Sequence, residues 1–125
     1  MVDLKLENNE GIIQKADNVE MYKSNDVYEE LYEIYLTNKN LICCYEKSNG
    51  IFSKSEEMTE KIPLDSIKIV NGKLQVLKVD DYEYGLGLQI LLQNGERIHF
   101  VFDNRHSCDF FVFSAVGKIR HKIFL

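Results

Sequence analysis

The chain has 125 residues, 45% of them hydrophobic and 28% charged, with seven glycines and one proline, which is the make-up of one ordinary globular domain. A chain of this length buries roughly two thirds of its unfolded surface, so it needs neither a disulfide framework nor a structural metal to fold. A net charge of −5, with Arg97, Arg105 and Arg120 as the only arginines and none beside another, argues against the clustered cations of a general nucleic-acid binder.

The three cysteines are an odd number, and two of them, Cys43 and Cys44, are adjacent; reduced thiols are the simpler reading. The start, Met1-Val2-Asp3-Leu4-Lys5, lacks the basic segment and long apolar run of a secretory signal, so a cytoplasmic location is expected. No apolar run approaches the roughly 20 residues that cross a bilayer, so any membrane association would be peripheral.

Val2 to Leu6 carries no clear structural signal. Gly11 then opens a strand in two halves, Ile12 to Ala16 and Val19 to Tyr22, interrupted at Asp17-Asn18, both common at turns and bulges. Ser24-Asn25-Asp26 is a loop. Leu31 to Leu36 and Leu41 to Tyr45 alternate at the two-residue period of a pleated strand, joined by Thr37-Asn38-Lys39-Asn40 in a tight hairpin. Asn38 and Asn40 tolerate a left-handed backbone and so suit the turn. Val27, Leu31, Ile34 and Tyr35 also have helical spacing, but aromatic and β-branched residues accumulate towards the turn and favour strand.

Residues 48–59 form a polar segment, a loop or ragged hairpin, with Ile51 and Phe52 near one end. Asn71-Gly72 supplies the two positive φ angles of a type I′ hairpin between Ile67–Val70 and Leu74–Val79. After the acidic loop Asp80 to Gly85 comes the clearest pair of strands. Leu86, Leu88, Ile90 and Leu92 share one face, and Ile98, Phe100 and Phe102 repeat the alternation beyond Asn94-Gly95. Each of these side chains contributes about 1.5 to 3 kcal/mol when buried. Gly87 reads as a bend or bulge that lets the sheet curl. From about Ser107 to Ile123, Cys108, Phe111, Val112, Ala115, Ile119 and Ile123 recur at three- and four-residue spacing, the stripe of an amphipathic helix.

Leu36-Thr37-Asn38-Lys39-Asn40-Leu41-Ile42 resembles the L-T-N-K-R-L-I hairpin of pleckstrin-homology-like domains, in particular the GRAM and bacterial PH-like group, with Asn40 where that pattern usually has arginine. Ile62-Pro63-Leu64-Asp65-Ser66-Ile67 is similar to the family's I-P-L-x-x-I edge strand, and Glu10 stands where the family has a glutamate just before its first strand. The resemblance covers nearly the whole chain. It implies a single mainly β domain over residues 1–125: a strongly bent antiparallel barrel of about seven strands within residues 10–102, plugged at one end by a C-terminal helix over residues 107–123. It also implies a non-enzymatic interaction module with no cofactor, acting through a protein partner or through self-association.

Candidate sites follow from exposure and charge. If the helix stripe packs inward, Phe110, Phe113, Arg120 and Phe124 lie on another side, and aromatics beside an arginine have the composition of a protein interface. The alternative is peripheral binding of anionic lipid or a phosphoinositide head group through Lys15, Lys23 and Lys39, with Ile51 and Phe52 as an apolar wedge. The paired cations of lipid-binding relatives are missing here, and Asp17, Glu20 and Asp26 stand among the lysines. Cys43 and Cys44 point to opposite faces of a strand and cannot share a metal. His106-Ser107-Cys108-Asp109 has nucleophilic residue types, but Cys108 falls on the core stripe and no motif places a base. His99 alternates with core residues and is expected on the surface, and His121 complements the helix dipole.

Overall fold

The structure, a computed structural model, describes residues 4–24, 27–48, 54–81 and 85–102. Its strands are β1 (Ile12–Lys23), β2 (Tyr28–Thr37), β3 (Asn40–Lys47), β4 (Glu56–Pro63), β5 (Ile69–Val70), β6 (Lys73–Leu74), β7 (Val76–Asp81), β8 (Gly85–Leu91) and β9 (Arg97–Phe102), with a 3-10 turn at Leu64–Ser66. Seven of them form one antiparallel sheet in the order β4-β3-β2-β1-β9-β8-β7, while β5 and β6 form a separate ribbon. Among the described residues the sheet is not closed, and β4 and β7 are its edges. The expected helix over 107–123 lies outside the described residues, as do Ile51, Phe52, His106 and Cys108.

The long hairpin follows the expected alternation except where β2 steps three residues from Leu31 to Ile34 and where Ile42 and Cys44 on the other face of β3 are buried as well. Leu31, Ile34 and Leu36 on β2 and Leu41 and Cys43 on β3 are fully buried in one cluster, with Leu88, Ile90, Ile98, Phe100 and Phe102 from β8 and β9. Residues 28–37 are strand throughout, so the helical spacing of Val27, Leu31 and Ile34 loses to pairing on both sides. β4 ends at Pro63, and the chain then makes a 3-10 turn instead of continuing as strand to Ile69. Ile67 forms an isolated bridge to Leu92, which ties this connection to the end of β8. Asp80 and Asp81 belong to β7, so the acidic loop is shorter than expected.

The turns use three different devices. Asn71 and Gly72 have φ of 50° and 76°, the pair of positive angles that the β5–β6 hairpin requires. Asn38 and Asn40 do not adopt the left-handed conformation expected of them. Instead the Thr37 Oγ1 accepts the backbone N–H groups of Lys39 and Asn40 at 3.0 and 2.8 Å, closing the turn from inside. Within β1, Asn18 has φ of 55°, which places the interruption where Asp17-Asn18 suggested.

That interruption switches the faces of two strands together. Ala16 is buried before it, and Val19 and Met21 after it, so the inward positions change parity. On β2 the register against β3 shifts between Leu31 and Glu33, leaving Tyr32 as the extra residue of a bulge. Asp17 pairs with Glu33 and Val19 with Leu31, so Asn18 stands opposite Tyr32. Beyond this level β1 acquires a second partner, and Val19 to Lys23 pair with Phe102 to Ile98 on β9. The sheet also curls. Lys23 on β1 and Glu60 on β4 are separated by two strands, yet Lys23 Nζ lies 2.5 Å from Glu60 Oε1.

Gly87 is needed for space rather than for a bulge. It sits in regular register opposite Val79 and Val101, but a Cβ built on it would lie 1.9 Å from the carbonyl oxygen of Phe100. Because that neighbour is backbone, relief requires moving the ladder itself. Gly87→Ala should therefore destabilise the fold by about 1 to 3 kcal/mol, read as a lower midpoint of urea unfolding. An unchanged midpoint would mean that β8 and β9 separate freely at this point.

Candidate functional site

The paired irregularity at Asn18 and Tyr32 has a consequence on the outer face of the sheet. A groove of roughly 1000 Å³ runs over it, floored by Asn18, Val19, Leu31 and Tyr32. Strand alternation sends Glu20 of β1, Tyr28, Glu30 and Glu33 of β2, Glu46 of β3 and Glu57 of β4 to this face, while Glu29, paired with the buried Met21, reaches the groove from the neighbouring position on β2. Among the described residues six glutamates line the groove, and no lysine or arginine does. Lys15 stands to one side, its Nζ 4.0 Å from Glu33 Oε1, a separation at which an exposed pair contributes little.

Tyrosines organise the carboxylates at one end. Tyr22 donates its hydroxyl to Glu20 at 2.5 Å, and Tyr28 donates to Glu30 at 3.0 Å. The two rings pack 4.9 Å apart at an interplanar angle of 39°. Burial and the adjoining Glu30 carboxylate push the Tyr28 phenol up to about 12, because a phenolate there would face Glu20 and Glu30. The Tyr32 phenol is also pushed up, first by burial and then by the adjoining Cys44 thiol and the carboxylates of Glu57, Glu33 and Glu46. Burial leads both shifts, and the carboxylates of this face add to them. The Tyr32 hydroxyl oxygen is buried with no hydrogen-bond partner among the described residues.

The other sequence-derived positions disperse. Lys23 is largely buried and holds Glu60 at 2.5 Å and Glu96 at 3.9 Å; burial disfavours its charge, but the Glu60 bond and the surrounding carboxylates outweigh that and raise its pKa. Lys39 donates to the carbonyl of Asn8 at 2.7 Å. Lys15, Lys23 and Lys39 thus have three separate acceptors, which gives a shared anionic ligand no support. Phe110, Phe113, Arg120 and Phe124 lie outside the described residues.

Cys43 and Cys44 are both buried and alternate in direction, Cys43 joining the core cluster. Burial pushes the Cys43 thiol far up and, aided by Glu33, the Cys44 thiol to about 11, so neither is a thiolate at neutral pH. His99 is on the outer face as expected but is half-buried rather than free on the surface, with its Nε2 buried beside Gly87. Among the described residues no three His, Cys, Asp or Glu side chains are close enough to hold a metal ion, and no helix is long and apolar enough to cross a membrane.

Sequence reasoning missed the groove. The doubled acids Glu29-Glu30 and Glu56-Glu57 were the available signal, but only the strand register shows which carboxylates share a face. Compared with known proteins, the chain matches no family model and no curated sequence.

The buried Tyr32 hydroxyl gives a direct test of the groove floor. Removing a polar group that has no partner abolishes a desolvation cost, so Tyr32→Phe should leave stability unchanged or raise it by up to about 1 kcal/mol. A clear loss in urea unfolding would show that the hydroxyl is held by a partner after all.

Proposed function

We propose that this chain is a non-enzymatic interaction module of the pleckstrin-homology-like type that works by presenting a surface to a protein partner. The assignment to that fold group is supported by seven antiparallel strands, by the curl that brings β1 towards β4, and by a C-terminal stretch patterned as a helix. In this reading the curled sheet completes a barrel and the helix plugs it.

One observation carries the functional proposal. A groove walled by six glutamates and two tyrosines is complementary to a cationic polypeptide segment, whose lysines or arginines meet carboxylates while its stems and flanking residues pack on the rings. The same charge repels anionic lipid, which is why a protein partner is preferred over a membrane surface. Self-association through Phe110, Phe113, Arg120 and Phe124 is a second part of the proposal and rests on the sequence pattern alone. Its test is light scattering across a concentration series for the wild type and Phe113→Glu. An oligomer that becomes a folded monomer in the variant would support it, and a wild-type monomer at every concentration would remove it.

For the groove, a synthetic oligolysine peptide should shift amide resonances of β1 and β2 around Asn18 and Tyr32, and the affinity should fall as salt rises. Glu30→Lys combined with Glu46→Lys should weaken binding at least about tenfold, equivalent to about 1.4 kcal/mol. Equal binding by the double variant, or shifts confined to another face, would remove the groove from consideration.

A further inference from the structure

The segment before β1, residues 4–11, is attached to the sheet in an unusual way. Of its residues only Glu10 is buried, and Leu6 is 39% exposed, so apolar burial holds it weakly. Its attachments are instead polar and come mainly from side chains. Asn38 accepts the Gly11 N–H and donates to the Asn9 carbonyl, both at 2.8 Å. Lys39 and Lys61 donate to the carbonyls of Asn8 and Lys5 at 2.7 and 2.5 Å. One main-chain bond, Asn38 N to Gly11 O at 3.3 Å, adds to these.

All of this converges on the Glu10 carboxylate. Its Oε2 accepts the Thr37 hydroxyl at 2.5 Å and the Asn40 amide at 2.7 Å, and its Oε1 accepts the Glu7 N–H at 2.9 Å. The Thr37 oxygen is held in place by accepting the N–H groups of Lys39 and Asn40, and its proton has the Glu10 carboxylate at 2.5 Å as the shorter of two acceptors, the other being the Asn40 carbonyl at 3.2 Å.

We propose that residues 4–11 form a latch that opens as a unit while the sheet stays folded, with the Glu10 carboxylate as its fastening. The closed latch satisfies the Lys39 and Lys61 ammonium groups with its own carbonyls and covers Thr37 and Asn40. The open form presents both lysines and the Thr37 hydroxyl at this end of the sheet. Opening is cheap compared with unfolding because it exposes three polar side chains, Glu10, Thr37 and Asn40, and leaves the apolar core cluster that holds the strands together intact.

The charged groups around Glu10 are Glu7 on the latch, Lys39 in the turn and Lys61 on β4. Burial opposes its charge, but the bonds from Thr37, Glu7 and Asn40, together with Lys61, hold its carboxyl below the ordinary 4.5. A carboxylate lowered in this way contributes stability that is fully present above its ordinary value and is lost as the pH falls through the lowered one.

Amide hydrogen exchange by NMR tests this in two arms. At neutral pH, Glu10→Gln should speed exchange of the Glu7 and Gly11 amides at least about tenfold while the ladder around Ile34 and Cys43 keeps its protection. In the wild type, acidification from pH 4.5 down through the lowered value should cut the protection factors of the same amides, measured against the slower intrinsic exchange at each pH. The second arm reads the latch even if the variant folds poorly. Latch amides protected equally in the wild type and Glu10→Gln would overturn the proposal. So would simultaneous loss of protection by latch and ladder in the acidified wild type, since the segment would then be part of one cooperative unit.

Discussion

A carboxylate withdrawn from water must be supplied with hydrogen bonds, and Glu10 receives three, two of them from the β2–β3 turn. That requirement fixes the end of the sheet. Thr37 can donate to Glu10 only while its oxygen faces inward, and in that position it also closes the turn by accepting two backbone N–H groups. One threonine therefore couples the entry of the chain to the geometry of the central hairpin. Asn40 completes the arrangement from the first residue of β3 and is buried for the same reason.

Further along β1 a different constraint takes over. A strand that remained regular would keep one set of side chains inward throughout, and Ala16 and Val19 could not both be buried. Asn18 adopts a left-handed backbone and Tyr32 forms a bulge at the same level, so both strands change parity together and stay paired. The bend gives β1 access to β9 on its other side and helps the sheet curl until Lys23 reaches Glu60. It also hollows the outer face where the carboxylates of four strands gather.

Charge is therefore distributed unevenly over the sheet. The groove gathers six glutamates around two tyrosines, while Lys39 and Lys61 stand at the end of the sheet where the first residues of the chain lie over the turn. A net charge of −5 says nothing of this separation, which arises from the register that gathers glutamates of four strands on one face and leaves Lys39 and Lys61 at the turn end.

The sequence by itself determined what depends on neighbours within a few residues. Alternation fixed β2, β3, β8 and β9 and their buried positions, Asn71-Gly72 fixed a hairpin, and Asp17-Asn18 marked the irregularity in β1, because pleat period and left-handed tolerance are local properties. Tertiary structure decided everything that needs two distant segments. Glu10 became a structural anchor because Thr37 and Asn40 fold onto it. Gly87 proved necessary because the Phe100 carbonyl approaches it, not because the strand bulges there. The acidic groove came from register across β1 to β4, and a one-residue change of register would send its carboxylates to the other face, which is why no reading of the glutamates along the chain could assemble it.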